Sequence, residues 1–179
     1  LTCKKETACY ADYFNLMIEE IDRANSIITE FLSLAKNKAI DPKPGSLNKI
    51  IKTVLPLIQV DALRMGSSIE TKLGDIPELM LDEKEIRQCI LNFVRNGLEA
   101  MPDGGTVTIS TYNDGDAVIM EIKDEGSGIP AEIIDKLGTP FITTKDEGTG
   151  LGLPVCYSIA ERHKASISVK TGKQGTSFY

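Results

Sequence analysis

The first 38 residues carry apolar side chains at alternating steps of four and three positions. This spacing is typical of the seam of a coiled coil or a helical bundle, and a bare coiled-coil stalk would show the same pattern. Further apolar residues form partial second stripes, and one helix cannot bury two faces alone. We therefore expect residues 1–38 to form a long helix that needs partner helices. The main stripe consists of Tyr10, Phe14, Met17, Ile21, Ala24, Ile28, Phe31 and Ala35.

Residues 39–46 show no periodicity and contain the stretch D-P-K-P-G. Prolines bar helix continuation and stiffen a short connection. We interpret 39–46 as a linker between the helix and a separate domain over 47–179, and a hinge role for it is a hypothesis from composition alone.

The pattern over 47–179 changes repeatedly between helical and strand periods. Ser46 is expected to cap a helix that runs to about Arg64, and a β-hairpin is expected around residues 113–116. Helices on one side of a mixed or antiparallel sheet predict an α+β fold, a two-layer α/β sandwich. The expected strands are 68–73, 79–81, 106–112, 117–123, 166–171 and 176–179, and the expected helices are 46–64, 82–101, 129–137 and 154–162. The first of these helices is expected to turn inward Ile50, Ile51, Val54, Leu55, Ile58 and Leu63.

The helix over 82–101 carries two asparagines, Asn92 and Asn96, one turn apart. Asp82 and Glu85 have the spacing of a capping box at its start. Asparagine is a poor helix former, so two of them without a turn to make require an explanation, and a solvated pair is the alternative to a functional role. The face expected to be buried consists of Ile86, Ile90, Phe93, Val94 and Gly97.

Two glycine clusters, D-E-G-S-G-I at 124–129 and G-T-G-L-G-L at 148–153, flank the stretch T-P-F-I-T-T-K at 139–145. Glycines let a backbone present bare N–H groups to phosphate, and the second cluster runs into a predicted helix start, which favours anions. The clusters match neither the P-loop nor the dinucleotide fingerprint. Turn geometry alone would also explain either cluster.

Composition excludes several classes of function. With 41% apolar and 26% charged residues the chain is globular, and its net charge of −6 argues against a nucleic-acid partner. No apolar run approaches ~20 residues, so we expect no membrane contact from this segment. Four cysteines without a C-x-x-C pair and a single histidine make zinc unexpected. Reduced thiols fit a cytoplasmic location, whether or not the intact protein is tethered to a membrane.

Five motifs occur here in an order that resembles the catalytic ATP-binding domain of sensor histidine kinases. They are N92-x-x-x-N96, D124-x-G126-x-G128, the segment around Phe141, G148-x-G150-x-G152 and G175-T176. The chain is most similar to the sporulation and nitrogen-regulation types, over about 46–179. The resemblance implies the Bergerat fold of the GHKL superfamily, with ATP between a helix layer and a flexible lid. Residues 1–38 resemble the second helix of the family's dimerisation and phosphoacceptor domain.

The resemblance also implies roles for single residues. Asp124 would accept a hydrogen bond from the adenine amine, and Thr176 would contact the same edge. Asn96 would bind Mg²⁺ through its amide oxygen, and Lys145 would neutralise a phosphate unless it is a solvated lysine. Residues expected to line the nucleotide more generally are Asn92, Gly126, Gly128, Ile129, Thr144, Gly148, Thr149, Gly150, Leu151, Gly152 and Leu153.

Asn92 indicates the class of reaction. In related ATP hydrolases of this fold the equivalent position is a glutamate that activates water, and an amide cannot take a proton at neutral pH. We therefore expect slow hydrolysis, and Asn92 and Asn96 would instead serve transfer of the γ-phosphate to a histidine for relay to a response regulator receiver domain or a phosphorelay protein. The alternatives are a non-catalytic, ATP-dependent interaction module and a serine kinase or ATPase of the same superfamily.

The chain departs from the family at three places. Its only histidine, His163, follows a helix of the ATP domain and is interpreted as a structural residue whose charge suits the helix dipole. The phosphoacceptor is therefore expected on a helix before Leu1, in a longer homodimeric protein that pairs through its N-terminal helix. Lys164-Ala165 replaces a glycine pair, and Glu99 replaces a phosphate-facing lysine.

Overall fold

The structure is a computed structural model that describes residues 3–35, 40–145 and 148–179. The chain divides into two compact units, Leu1–Lys38 and Ala39–Tyr179. The first unit contains helix α1, Cys3–Ala35, which agrees with the predicted long helix. Within the described part of the chain, no helix combines the length and apolarity that crossing a bilayer requires.

The second unit alternates helices and strands in the order predicted from the sequence. Most boundaries agree within two residues, but the helix predicted over 129–137 is regular only at Ala131–Ile134, and the strand predicted from 166 begins at Val169. The elements are β1 (Lys43–Gly45), α2 (Leu47–Arg64), β2 (Ser68–Leu73), β3 (Leu79–Leu81), α3 (Glu83–Glu99), β4 (Thr106–Asp114), β5 (Ala117–Lys123), α4 (Ala131–Ile134), α5 (Gly152–Arg162), β6 (Val169–Gly172) and β7 (Gly175–Phe178).

Five strands form one mixed sheet in the order β2-β4-β5-β7-β6. Strand β2 runs parallel to β4, whereas the other neighbouring pairs are antiparallel. Helix α3 packs against α2 and α5 and lies over β4 and β5. The predicted α+β fold with a helix layer on a mixed sheet is confirmed.

Strand β1 was not predicted. It pairs with β3 in a separate two-stranded sheet, so Lys43–Gly45 of the expected linker belongs to the folded second unit. A three-residue strand gives no periodic signal, and the neighbouring prolines argue against a strand.

The core lies between the helices and the sheet. Ile51, Ile90 and Val94 are fully buried, and the rings of Phe93 and Phe178 join α3 to β7 with centroids 4.8 Å apart. The prediction that Leu63 points inward is wrong, because its side chain is 78% exposed. The buried stripe of α2 continues instead to Ala62, four residues after Ile58, and Leu63 lies about 100° away from that stripe.

Only half of the capping box at the start of α3 is present. Asp82 caps the helix by accepting from the N–H groups of Lys84 and Glu85, at 3.1 and 3.3 Å. The buried Glu85 carboxylate does not reach back to Asp82, because Arg162 binds both of its oxygens at 3.0 Å. The Asp82 N–H donates instead to Nε2 of His163, at 3.0 Å.

His163 has a structural role, but its predicted charge is not supported. Its Nε2 accepts the Asp82 N–H, so the ring donates through Nδ1 to the carbonyl oxygen of Ile159, 2.8 Å away. An imidazole that accepts at one nitrogen is neutral. Both ring nitrogens are therefore used to fasten the end of α5 to the start of α3.

Candidate functional site

The site is organised around Asp124, which directly follows β5. Its side chain is buried, and its Oδ1 accepts hydrogen bonds from the N–H groups of Gly126 at 2.9 Å and Thr176 at 3.0 Å. The Asp124 N–H donates to the carbonyl oxygen of Thr176 at 2.9 Å. Both side-chain bonds converge on Oδ1, and no described residue donates to Oδ2. One carboxylate oxygen is thereby fixed by the backbone while the other remains able to accept from a ligand.

Burial raises the pKa of the Asp124 carboxyl group, because desolvation disfavours its charged form. The N–H groups of Gly126 and Thr176 and the charge of Lys145 act in the opposite direction but do not cancel the effect. A buried acid that is hydrogen-bonded through only one oxygen gains from a donor on the other. Asp124 is thus suited to a ligand that presents an N–H group.

Helix α3 approaches Asp124 closely through Gly97. A Cβ on Gly97 would lie 3.1 Å from the Cβ of Asp124 and 3.7 Å from its Oδ2. The next two glycines also leave no space for a side chain. A Cβ on Gly126 would lie 2.6 Å from the carbonyl oxygen of Ala100, and a Cβ on Gly128, which has φ +80°, would overlap the carbonyl oxygen of Gly172. These glycines therefore let three backbone segments meet at one place.

Two threonines connect this region to the β6–β7 hairpin. Thr171 Oγ1 accepts the N–H of Ile129 at 2.8 Å and lies 3.1 Å from Thr176 Oγ1. Thr171 was not singled out from the sequence. Thr171 and Thr176 are direct cross-strand partners in the β6–β7 hairpin, and this register is the signal that could have identified Thr171.

The two asparagines of α3 differ in their surroundings. Asn92 accepts from Nε2 of Gln88 at 3.0 Å and donates through Nδ2 to the carbonyl oxygen of Gly152 at 3.1 Å. Asn96 is half-buried, and its side chain forms no hydrogen bond with any described residue. Gln88 is a second residue that sequence reasoning missed, although it lies one turn before Asn92. Asn92 thus fastens the glycine loop to α3, whereas the Asn96 oxygen is available to a ligand.

The lid segment consists of residues 139–145 and 148–153, and its second part is the glycine loop that Asn92 holds through Gly152. Phe141 and Gly150 both have positive φ, +66° and +65°, and the Phe141 N–H donates to the carbonyl oxygen of Gly150 at 3.0 Å. The Phe141 ring is 61% exposed, whereas Leu151 is fully buried. The segment is therefore anchored at Leu151 and presents its aromatic ring outward.

Two threonine side chains of the lid segment accept hydrogen bonds from backbone N–H groups two residues further along the chain. Thr143 Oγ1 accepts the Lys145 N–H at 3.1 Å, and Thr149 Oγ1 accepts the Leu151 N–H at 3.2 Å. The Lys145 ammonium group is bound to the Glu99 carboxylate at the end of α3. Thr144 is exposed, and Leu153 is half-buried in the first turn of α5. Lys145 is thus neither a solvated lysine nor isolated from the site.

The structure brings four of the predicted residues together along one stretch of α3, namely Asn92, Asn96, Asp124 and Gly152. Asn92 holds Gly152 at one end, and Gly97 touches Asp124 at the other, with Asn96 between them. Thr144, which was also predicted to line the nucleotide, is exposed. Across the described ranges, no three His, Cys, Asp or Glu residues are grouped so that they would hold a metal ion. A divalent cation here would depend on neutral protein oxygens and on the ligand itself.

Comparison with known proteins identifies the class of this fold. The family described as histidine kinase-, DNA gyrase B-, and HSP90-like ATPase matches residues 81–179. Sporulation kinase C of Bacillus subtilis (strain 168) is 39% identical over 162 residues, which are 89% of this chain and 38% of that protein. The curated relatives it resembles are longer, and the matches cover between 23% and 43% of their length.

Solved structures share the fold of this chain. Full-length ShkA in complex with AMPPNP matches with a TM-score of 0.84 at 22% identity, covering 93% of this chain and 37% of that one, which shows the fold. Histidine kinase ThkA in complex with response regulator protein TrrA matches with a TM-score of 0.77 at 26% identity, covering 93% of this chain and 48% of that one.

The resemblance inferred from the five motifs is confirmed, since the family model matches and the relatives include a sporulation kinase and a histidine kinase. The chain belongs to the family of histidine kinase-, DNA gyrase B- and HSP90-like ATPases, and it is homologous to the catalytic ATP-binding region of sensor histidine kinases.

Proposed function

We propose that this chain is the catalytic region of a sensor histidine kinase, which binds Mg-ATP and transfers its γ-phosphate to a histidine. The observation that carries the proposal is the meeting of Asp124, Asn96 and the glycine loop along one stretch of α3. Relatives whose names describe them as sensor histidine kinases and a structural neighbour with AMPPNP support it.

Asp124 would recognise the adenine ring. Its Oδ1 is held by two backbone N–H groups, so Oδ2 would accept a hydrogen bond from the exocyclic amine of the base. Thr176, with Oγ1 beside that of Thr171, would contact the same edge of the ring. Gly126 and Gly128 would let the chain pass close to the base and sugar, with Ile129 beside them.

The phosphates would lie between α3 and the lid segment. Gly148, Thr149, Gly150 and Gly152 precede or begin α5, where backbone N–H groups and the helix dipole favour negative charge. The Asn96 amide oxygen fits Mg²⁺, because this ion accepts one or two protein oxygens and completes its octahedron with phosphate oxygens and water. When bound, Mg²⁺ would neutralise charge on the triphosphate.

Asn92 would favour transfer over hydrolysis. Both ends of its amide are engaged, with Gln88 and with Gly152, and an amide has no proton affinity with which to activate water. The γ-phosphate would therefore persist until an imidazole attacks it in line, and positioning together with electrostatic stabilisation would supply most of the catalysis.

The intact protein would act as a homodimer through α1. Apolar residues at alternating steps of four and three are more than half exposed on this helix, namely Tyr10, Phe14, Met17, Ile21 and Ile28. An apolar seam of this kind is buried by a second helix. The phosphoryl group would then pass to a receiver domain or a phosphorelay protein, since ThkA has been solved with a response regulator.

Two measurements test the proposal. Calorimetric titration with Mg-ATP should show binding at one site per chain, and labelled γ-phosphate should appear on an added histidine-bearing dimerisation domain. Binding without transfer would favour a non-catalytic ATP-dependent module, and transfer to serine or rapid turnover without an acceptor would favour a serine kinase or an ATPase. Absence of nucleotide binding would refute all of these readings.

A further inference from the structure

One ion pair joins α3 to the lid segment directly. The Lys145 ammonium group binds Oε2 of Glu99, the last residue of the helix. Both side chains are about two-thirds covered, with 35% and 34% of their surfaces exposed. Arg95 also lies 3.4 Å from Oε1 of Glu99, but its side chain is 76% exposed. The pair with Lys145 is therefore the more shielded of the two contacts.

The position of this pair relative to the site is fixed by the backbone. Glu99 comes three residues after Asn96, so both side chains leave α3 on neighbouring faces. The carbonyl oxygen of Lys145 accepts the N–H of Gly148 at 3.1 Å, where the glycine loop begins. The charge of Lys145 also offsets part of the rise that burial causes in the pKa of Asp124, so the two groups interact electrostatically.

A nucleotide phosphate and Glu99 would thus require the same ammonium group. A phosphate oxygen that binds Lys145 must displace the carboxylate or share its donor, and the carboxylate repels the phosphate in either case. Building on the function proposed above, we propose that Glu99 is a specificity-determining residue that lowers nucleotide affinity by competing for Lys145. A triphosphate carries more negative charge than a diphosphate, so the competition lowers the affinity for ATP more than the affinity for ADP and narrows the difference between them.

The charge-neutralising variant Glu99→Gln tests this inference, with Glu83→Gln as a matched control. Glu83 forms an ion pair with Arg87 at 2.6 Å on the same helix, remote from the lid segment. Titration calorimetry at fixed ionic strength should show about three- to fivefold tighter ATP binding for Glu99→Gln, the range expected from releasing a partly exposed pair. ADP affinity should rise less than twofold, and Glu83→Gln should bind both nucleotides as the unsubstituted chain does.

A second variant separates competition from simple repulsion. In a Lys145→Met background, Glu99→Gln should improve ATP affinity less than twofold, because no ammonium group remains to be released. Hydrogen exchange provides a readout independent of affinity. Without nucleotide, amides of the lid segment should exchange faster in Glu99→Gln than in the unsubstituted chain, whereas with saturating ATP the two should match.

The outcomes are distinguishable from failure of the proposed function. If the unsubstituted chain binds no ATP, the proposed function is refuted together with this inference. If it binds ATP but Glu99→Gln leaves the ATP to ADP affinity ratio unchanged, or weakens ATP binding, only the role assigned to Glu99 is refuted. Weaker binding would mean that Glu99 positions Lys145 for the phosphate instead of competing with it.

Discussion

The two ends of the candidate site are constructed differently. At the base end, Asp124, Gly126 and Thr176 are joined by buried backbone hydrogen bonds, and glycines there leave no room for a Cβ. At the end proposed to hold the phosphates, residues 139–145 of the lid segment are held by a few local hydrogen bonds and by the pair of Lys145 with Glu99, whose side chains are about one-third exposed. The second part of the segment is fixed more firmly, by the buried Leu151 and by the hydrogen bond from Asn92 to Gly152.

This difference separates recognition of the base from the response of the lid segment to phosphate. Buried hydrogen bonds are costly to break, so the end proposed to bind the base would be formed before the ligand arrives and would need no rearrangement. Exposed ion pairs contribute little and exchange partners readily, so the phosphate end is able to reorganise around its ligand. We therefore expect substitutions at the base end to act on affinity for the base or on stability, and substitutions in the lid segment to act on the response to phosphate.

The largest expected effect is that of Asp124→Asn. Its amide oxygen still accepts from Gly126 and Thr176, but the atom that replaces Oδ2 becomes a donor facing the adenine amine. We expect ATP affinity to fall about 100-fold or more, while the free energy of unfolding at neutral pH stays equal or rises, because a buried charge has been removed. Calorimetry and thermal unfolding measure the two quantities. Unchanged ATP affinity would exclude Asp124 from base recognition.

Glycine substitutions compare the two ends directly. Gly128→Ala forces a Cβ into the Gly172 carbonyl oxygen at φ +80°, and we expect it to lower the free energy of unfolding by about 2 to 3 kcal/mol. Gly150→Ala, at φ +65° and 2.8 Å from the Phe141 Cα, should cost less stability but weaken ATP binding.

The control for both substitutions is Gly115→Ala. Gly115 has φ +60° but open space around its Cβ position, so it measures the backbone strain alone, about 1 kcal/mol. Denaturant unfolding gives the stability of each variant. If Gly128→Ala lowered the free energy of unfolding no more than Gly115→Ala does, the close backbone contact at Gly128 would not contribute to stability.

Asn96→Ala should remove only the magnesium-dependent part of ATP affinity. We expect about tenfold weaker binding in the presence of Mg²⁺ and no change in its absence, because the lost ligand is one oxygen among six. Titrations with and without a chelator measure both values. Equal loss in both conditions would mean that Asn96 contacts the nucleotide itself.

The smallest expected effect is the pH dependence of Asp124. Its raised pKa means that the folded chain binds a proton more readily than the unfolded one, so stability falls as pH rises from about 3.9 through the raised pKa. Nucleotide binding should change in the opposite direction and weaken as pH falls, because the protonated oxygen no longer accepts from adenine. Measuring unfolding and nucleotide binding across pH in the unsubstituted chain and in Asp124→Asn isolates the contribution of this carboxyl group. If the two proteins showed the same pH dependence, Asp124 would not be the group that titrates.

Much of the fold was predictable because periodicity is local. Helix α3, the β4–β5 hairpin and the long helix α1 all follow from the spacing of apolar residues. Strand β1 and the outward orientation of Leu63 were not predictable in this way, since they depend on where α2 ends and what it packs against.

In the candidate site, too, some residues were predictable from the sequence and others were not. Asp124, Asn96 and the glycines stand out by residue type and spacing, and the structure gathers them on one stretch of α3. The pairs Glu85–Arg162 and Glu99–Lys145 connect residues 77 and 46 positions apart, and no local pattern marks them. Charged residues on exposed helix faces are too common to indicate which of them meet.

Discrimination between ATP and GTP tests the central claim most directly, because adenine presents an amine where guanine presents a carbonyl oxygen. With Oδ2 of Asp124 as a fixed acceptor, calorimetric titration at saturating Mg²⁺ should show ATP binding at least 100-fold more tightly than GTP. The difference should largely disappear in Asp124→Asn. Equal affinities of the unsubstituted chain for ATP and GTP would contradict the account.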